Sequence, residues 1–362
     1  MPMDILQIYP RLPPTIDGIG DYAMTLAKGL SQCNIRTYFM TAHQEKMFGD
    51  ERFPIVPLHT HSPQAFVDAI PQHIQAVILH FSDYPYDAKR GIPVWLVKAL
   101  ETMKQQRSLR LLVMFHEFPS FYLLKKTFYL FPWQRSVAWQ LAQLADVIIT
   151  NNAVTKTLIA KYFLAKDKQP SILNLPVFSN IGELEKPLPL EQRQRRLIVF
   201  GTPGRRARIY QRSQAMLKNC CQLLGIEEIC DIGSPLHLDQ STLAGIPLVK
   251  MGEQPAARIS QLMSDSLAGI VYSTDNGHLA KSGVFATYCA HGLVPIVTQE
   301  KATLLDGLQA ETNFLFAGMQ AESLAMEQLQ AIADAAHQWY VTHNQASTFK
   351  SFLLQLSAPS KP

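Results

Sequence analysis

At 362 residues the chain exceeds what one hydrophobic core ordinarily serves and suits two domains. Hydrophobic residues make up 47% and charged residues 17%, which excludes a disordered chain. Lys and Arg total 33 against 29 Asp and Glu, and a net charge of +4 is small for a dedicated nucleic-acid binder. The charge is also uneven. Residues 1–178 carry 18 basic against 13 acidic side chains (+5), and the remainder 15 against 16 (−1). Cys33, Cys220, Cys221, Cys230 and Cys289 show no CxxC spacing and read as reduced, mostly buried thiols of a cytoplasmic protein. Asp4 interrupts the place where a signal peptide needs an apolar run, and no apolar stretch approaches the about 18 residues of a membrane-spanning helix.

In chain order, strands are predicted over Ile5–Tyr9, Arg36–Met40, Ala76–His80, Arg110–Phe115, Val147–Thr150 and Ile172–Leu175. Helical patterns lie between them near Gly20–Ser31, Pro93–Gln106, Gln134–Ala145 and Ala153–Phe163. Strands apolar on both faces and separated by helices imply a parallel sheet covered on both sides. Pro176–Arg196 breaks the rhythm with prolines and charges, so a linker is expected over 179–196 between domains 1–178 and 197–340. The alternation resumes with strands at Leu197–Phe200, Ile229–Ile232, Leu248–Lys250, Ala268–Tyr272 and Val294–Thr298. Helices fit near Arg208–Leu224, Pro255–Ser264 and Lys281–His291, followed by Glu322–Tyr340 and Phe349–Leu356. The expected fold class is α/β, two doubly wound Rossmann-like domains in series, with ligands outside the carboxyl ends of the strands in a cleft between domains.

Five segments carry candidate chemistry. Tyr9–Leu30 runs from a strand through a Pro-rich loop to Gly18-Ile19-Gly20 at a helix start, where Gly18 and Gly20 allow close approach and free N–H groups face an anion. This is not the dinucleotide fingerprint, because Gly18 stands nine positions past Tyr9 and the expected acidic ribose ligand is missing. The alternative is a tight turn with Asp17 or Asp21 as helix cap. In Leu111–Pro119 an apolar strand ends in His116-Glu117, two titratable groups at the carboxyl end of the sheet, and His80 closes another strand in the same way.

Phe118–Trp139 holds eight aromatics with Lys125, Lys126 and Arg135 and no acid, a composition suited to an anionic membrane surface or to a core helix with snorkelling charges. Leu197–Tyr210 places Arg205, Arg206 and Arg208 where a helix begins. Cations there oppose the helix dipole unless an anion such as a diphosphate binds. Tyr272–Thr298 offers a polar loop with Asp275, Asn276 and His278, then Lys281, Ser282 and Gly283 at a helix start facing a phosphate, or an ordinary loop–helix–strand unit. No Asp-x-Asp and no metal spacing occurs, so neither metal nor cofactor is expected.

Together these segments resemble the GT-B nucleotide-sugar glycosyltransferases, in particular glycosyltransferase family 4. The resemblance rests on Pro14–Ala23 (P-x-x-x-G-I-G-D-Y-A), His116 and Ala145–Asn151 (A-D-x-I-I-T-N), then the basic loop after the linker and Ala290–Val297 (A-x-G-x-x-P-I-V). It implies a donor-binding C-terminal domain, an acceptor-side N-terminal domain rejoined by a helix near 341–358, and a retaining reaction. Carried over by position, Gly18 and Gly20 would face the donor diphosphate and Arg205 or Arg206, with Arg208, would take the place of the family's basic pair, to which the helix-start reading adds Lys281, Ser282 and Gly283. His116 and Glu117 would act catalytically, with Asp21, Tyr22, His80, Asp275, Asn276 and His278 near sugar or acceptor. One departure is visible: the family's Glu-x7-Glu pair would fall at Leu279 and Thr287, neither acidic, as in a bacterial variant of the motif.

The expected function is transfer of a sugar from a nucleoside diphosphate sugar to a hydroxyl of a glycan, lipid-linked saccharide or small molecule, as in polysaccharide biosynthesis. The expected location is cytoplasmic, with peripheral membrane contact through Phe118–Trp139 and no nucleic-acid partner. Alternatives are a catalytically degenerate GT-B protein assisting a partner transferase, and a sugar-nucleotide epimerase.

Overall fold

The computed structural model describes residues 3–15, 17–41, 51–58, 61–119, 128–164, 170–236, 241–243, 245–273, 278–298, 305–320 and 324–358, without the side chains of Phe128 and His278. Two compact units divide the chain: Met1–Leu175 with Thr348–Pro362, and Pro176–Ser347.

The first unit runs β1 (Met3–Ile8), α1 (Gly18–Ser31), β2 (Ile35–Thr41), β3 (Ile55–Pro57), α2 (Pro63–Ala69), β4 (Ala76–Phe81) and α3 (Asp83–Tyr86). It continues with α4 (Val94–Gln106), β5 (Arg110–Phe115), α5 (Phe131–Leu144), β6 (Val147–Thr150), α6 (Ala153–Tyr162) and β7 (Ser171–Asn174). The strands form one parallel sheet in the order β3-β2-β1-β4-β5-β6-β7. Every residue of β4 and β6 is buried, as a sheet covered on both faces requires. Helix α5 turns Val137, Ala138, Leu141 and Ala142 into the core.

The second unit repeats the plan with β8 (Gln194–Phe200), α7 (Pro203–Arg212), α8 (Gln214–Leu223), β9 (Glu228–Ile232), β10 (Thr242–Leu243) and β11 (Ile246–Gly252). Then come α9 (Ala256–Ser264), β12 (Ser266–Val271), α10 (Gly283–Ala290), β13 (Val294–Val297), β14 (Leu315–Phe316) and α11 (Met326–Val341). Its sheet order is β10-β11-β9-β8-β12-β13-β14, parallel except for the β10–β11 pair. Both units therefore have the doubly wound α/β architecture expected from the alternation of strands and helices.

Several boundaries differ from the sequence reading, each for a local reason. The edge strands β3, β10 and β14 are two or three residues long, too short to leave a periodic trace. The single helix expected over Arg208–Leu224 is two helices that meet at Ser213 (φ −120°, ψ 23°), and the first begins earlier, at Pro203. Proline fits the first helical position because its missing N–H has no partner there anyway. Four of the cysteines are buried, but Cys33 is exposed.

Pro176–Arg193 belongs to the second unit, and the buried guanidinium of Arg193 binds the carbonyls of Leu188, Ser266 and His291. The last helix, α12 (Gln345–Ser357), belongs to the first unit from Thr348 onward. Gly29 on α1 makes room for the ring of Phe349, and Arg110 of β5 donates to the carbonyl of Ala358.

Helix α10 is pinned to its sheet by Tyr288, which is fully buried. The Tyr288 hydroxyl lies 3.3 and 3.2 Å from the carbonyls of Ile198 and Ile270 and accepts from the N–H of Phe200. Gly269 of β12 has no side chain because a Cβ there would meet the Tyr288 ring at 2.6 Å. Gly269→Ala is expected to cost about 1–3 kcal/mol through overpacking. Denaturant unfolding would register this as a lower midpoint at unchanged slope.

Candidate functional site

In a doubly wound sheet the ligand crevice opens outside the carboxyl ends of the strands, where the winding reverses. In the first unit that point lies between β1 and β4, and in the second between β8 and β12.

At the first switch point the sequence-predicted His80 and His116 come together. His80 is the fifth residue of β4, and His116 follows β5 directly, its N–H bonded to the carbonyl of Phe81. His80 Nδ1 lies 3.0 Å from His116 Nε2, and His80 Nε2 lies 2.7 Å from Oε1 of Gln7 on β1. All three side chains are buried. Burial pushes His80 down to about 3, and burial together with the neighbouring His80 holds His116 well below the ordinary imidazole value. Both rings are therefore neutral at physiological pH. Tyr22 of α1, also predicted, sets its ring edge-on against both imidazoles, with centroids 5.2 Å from His116 and 6.0 Å from His80. Asn151 anchors the segment by donating to the carbonyl of His116.

Glu117 is exposed and accepts from Ser82 Oγ at 2.7 Å. Burial, then the Glu117 charge, raises the carboxyl of nearby Asp83 to about 8. Sequence reasoning missed Gln7, Ser82 and Asp83. The lone polar residue inside the apolar run Ile5–Tyr9 was the signal for Gln7.

The start of α1 differs from the expectation of a bare anion site. Asp17 caps it, accepting from the N–H groups of Ile19 and Gly20 at 3.0 and 3.1 Å, and is itself held by Tyr9 and Arg11. A carboxylate thus stands where a phosphate would dock. Gly20 is buried, and a Cβ there would meet the Arg11 carbonyl oxygen at 2.2 Å, so its bare backbone serves the packing of the preceding loop. Gly18 has open space around its Cα and stays in consideration for ligand approach. Asp21, in the first turn of α1, is raised to about 6 by burial and by Asp17.

At the second switch point the three arginines separate. Arg206 is fully buried and binds Asp231 Oδ1, the carbonyl of Ser234 and the carbonyl of Gly201, while Tyr210 donates to the second oxygen of Asp231. Its guanidinium is consumed by the core, which corrects its assignment as a diphosphate ligand. Arg205 and Arg208 are exposed; the first donates to the carbonyl of Tyr272 after β12, and the second lies over the Tyr272 ring. Thr202, the N-cap of α7, makes no side-chain capping bond; Pro203 has no N–H and the Arg205 and Arg206 N–H groups bond the Thr202 carbonyl, so only the Gly204 N–H of this first turn is left for an anion.

The start of α10 is adjacent: a Cβ on Gly201 would lie 3.1 Å from Val284. Ser282 caps α10 by accepting from the Phe285 N–H, which gives its hydroxyl a structural duty, and the Gly283 and Val284 N–H groups that follow Lys281 in sequence make no hydrogen bond among the described residues. Asp275, Asn276 and the side chain of His278 lie outside the described residues. Leu279 and Thr287, where the acidic pair would fall, are both buried; Thr287 Oγ1 lies 3.1 Å from Ser179 Oγ. Among the described residues no group of three or more His, Cys, Asp or Glu is arranged to hold a metal ion.

No protein-family model matches the chain, and no curated protein is similar to it in sequence. Solved structures are similar over nearly the whole chain. A trehalose 6-phosphate synthase from Burkholderia multivorans superposes with a TM-score of 0.63 at 11% identity, covering 98% of each chain. An α-glucosyltransferase bound to UDP and a 13-mer DNA gives 0.61 at 12% identity, covering 99% of this chain and 100% of that one. WaaG, a glycosyltransferase of lipopolysaccharide biosynthesis, gives 0.59 at 11% identity with 99% and 100% covered. The fold is that of the GT-B glycosyltransferases.

The contrast between the arginines is directly measurable. Asp231→Ala leaves Arg206 buried and unpaired and is expected to cost about 3–5 kcal/mol of unfolding free energy. Arg205→Ala is expected to stay within about 0.5 kcal/mol of the unmodified protein in the same denaturation experiment.

Proposed function

We propose that the protein is a glycosyltransferase that moves a sugar from a nucleoside diphosphate sugar to an acceptor hydroxyl, with retention and without metal or cofactor. The observation that carries this reading is the paired helix start in the second unit. Exposed Arg205 and Arg208 of α7 and half-buried Lys281 stand at the switch point of the sheet with the Gly204 N–H of α7 and the Gly283 and Val284 N–H groups of α10. Departure of a nucleoside diphosphate develops charge on the β-phosphate, and preorganised guanidinium, ammonium and N–H dipoles stabilise it best when they need no rearrangement. Neutral His116 supplies a hydrogen-bonding group for the sugar, and Glu117 a carboxylate for the acceptor hydroxyl. The structural neighbours support the substrate class, since their complexes contain UDP, UDP-glucose or UDP-2-fluoro glucose.

A glycan, lipid-linked saccharide or small molecule is proposed as acceptor, in the cytoplasm. DNA, which one neighbour's complex contains, is not proposed as an acceptor here, because a net charge of +4 leaves little basic surface for a phosphate backbone. A second reading, a degenerate GT-B protein that binds nucleotide and assists a partner, is favoured only by the burial of Leu279 and Thr287 in place of an acidic pair.

Incubation with a panel of nucleotide sugars, with and without chelator, tests the first reading. Turnover is expected in both, falling about a hundredfold in Arg205→Ala with Arg208→Ala. Loss of all turnover in chelator would remove the metal-independent claim, and nucleotide binding with no turnover of any donor would favour the second reading.

Peripheral membrane contact is also proposed, on the outer side of α5. On α5 Trp133 and Trp139 are 64% and 46% exposed, and Tyr129 just before the helix is 62% exposed, aromatic side chains of the kind that settle at a lipid headgroup layer. Lys125 and Lys126 lie outside the described residues. Among the described residues no helix is long and apolar enough to cross a membrane. Trp133→Ala with Trp139→Ala is expected to weaken co-sedimentation with phosphatidylglycerol vesicles about tenfold or more, with nucleotide binding unchanged. Failure of the unmodified protein to bind such vesicles would sink the idea.

A further inference from the structure

The side chains spanning the switch point between β1 and β4 stand in single file, and their proton positions follow from one end. Gln7 presents its amide oxygen to His80 Nε2 at 2.7 Å. An amide oxygen only accepts, so in this orientation of the Gln7 amide, whose nitrogen is buried without a hydrogen-bond partner, His80 Nε2 carries the proton. A neutral imidazole has one N–H, which leaves His80 Nδ1 as a lone pair. The nitrogen 3.0 Å away, His116 Nε2, must then be the donor. The same rule leaves His116 Nδ1 unprotonated, and it has no hydrogen-bond partner among the described residues. Burial of Gln7 and His80 keeps water from supplying competing bonds, and the edge of the Tyr22 ring fixes both imidazole planes.

We propose that Gln7 and His80 are positioning residues that lock His116 as its Nε2–H tautomer, so that Nδ1 meets a ligand as a hydrogen-bond acceptor. The ligand group opposite Nδ1 is then a donor, which a sugar hydroxyl is and an ionised phosphate oxygen is not. Naming that group a sugar hydroxyl rests on the glycosyl-transfer reading; the tautomer itself rests only on the hydrogen-bond chain.

Long-range 1H–15N spectra of the full-length protein with 15N-labelled histidine test this directly, with His116→Gln used to assign the resonance. At pH 7 His116 is expected to show a protonated Nε2 and a pyridine-like Nδ1, and to keep both through moderate acidification. Gln7→Met, which preserves length but removes the acceptor, is expected to give a mixture of the two His116 tautomers. It is also expected to lower the transfer rate about tenfold, the scale of one misdirected hydrogen bond.

A His116 that is Nδ1–H or doubly protonated in the unmodified protein overturns the proposal, and this spectrum decides it even if Gln7→Met fails to fold. An unchanged single tautomer in folded Gln7→Met also overturns it. A protein with the expected tautomer that transfers no sugar from any donor supports the proposal and removes the glycosyl-transfer reading alone.

Discussion

Parallel strand pairing is the constraint from which the rest of this molecule follows. A parallel neighbour is reached only by crossing back over the sheet, so each strand delivers its carboxyl end to the same edge as the next. In both units the winding starts at a central strand, β1 or β8, proceeds to one side and then to the other. That reversal parts the connecting segments beside the starting strand. Gln7 and His80 meet across the first parting, and the arginine loop meets Tyr272 across the second.

Polar groups carried into such places must be satisfied or they destabilise the fold. Two clusters answer this demand differently, and the second leaves the amide nitrogen of Gln7 without a partner. Around Asp231 every strong group is consumed: Arg206 takes the carboxylate and two carbonyls, Tyr210 takes the remaining oxygen, and the cluster is a structural brace. Around His80 the hydrogen bonds form an open file, and one ring nitrogen of His116 is left for something else to meet. A closed network gives rigidity. An open one gives rigidity and a binding atom.

The fold was legible in the sequence because burial on both sheet faces writes long aliphatic runs, and the helices between them keep their period. Strands of two or three residues carry no such signature, and a helix break at Ser213 has no glycine or proline to mark it. The site was legible in part. His80 and His116 stood out as polar residues closing apolar runs, and they do meet. The two neighbouring arginines Arg205 and Arg206 were indistinguishable on paper. Successive residues of a helix point about 100° apart, so one faces solvent and the other the core. Asp17 and Gly20 show the same limit: their duties are set by Tyr9, Arg11 and the Arg11 carbonyl, contacts that depend on how the intervening loop folds back.

The return of α12 to the first unit bears on how the chain is made. The second unit is one continuous stretch, Pro176–Ser347, but the first is completed only by Thr348 onward. During synthesis the amino-terminal sheet therefore emerges first and finishes last. The groove beside Gly29 stays uncovered until Phe349 arrives, and Arg110 waits for the Ala358 carbonyl. Truncation of the last fifteen residues, remote in sequence from every strand of the first sheet, would act on that sheet's unit and leave the other intact.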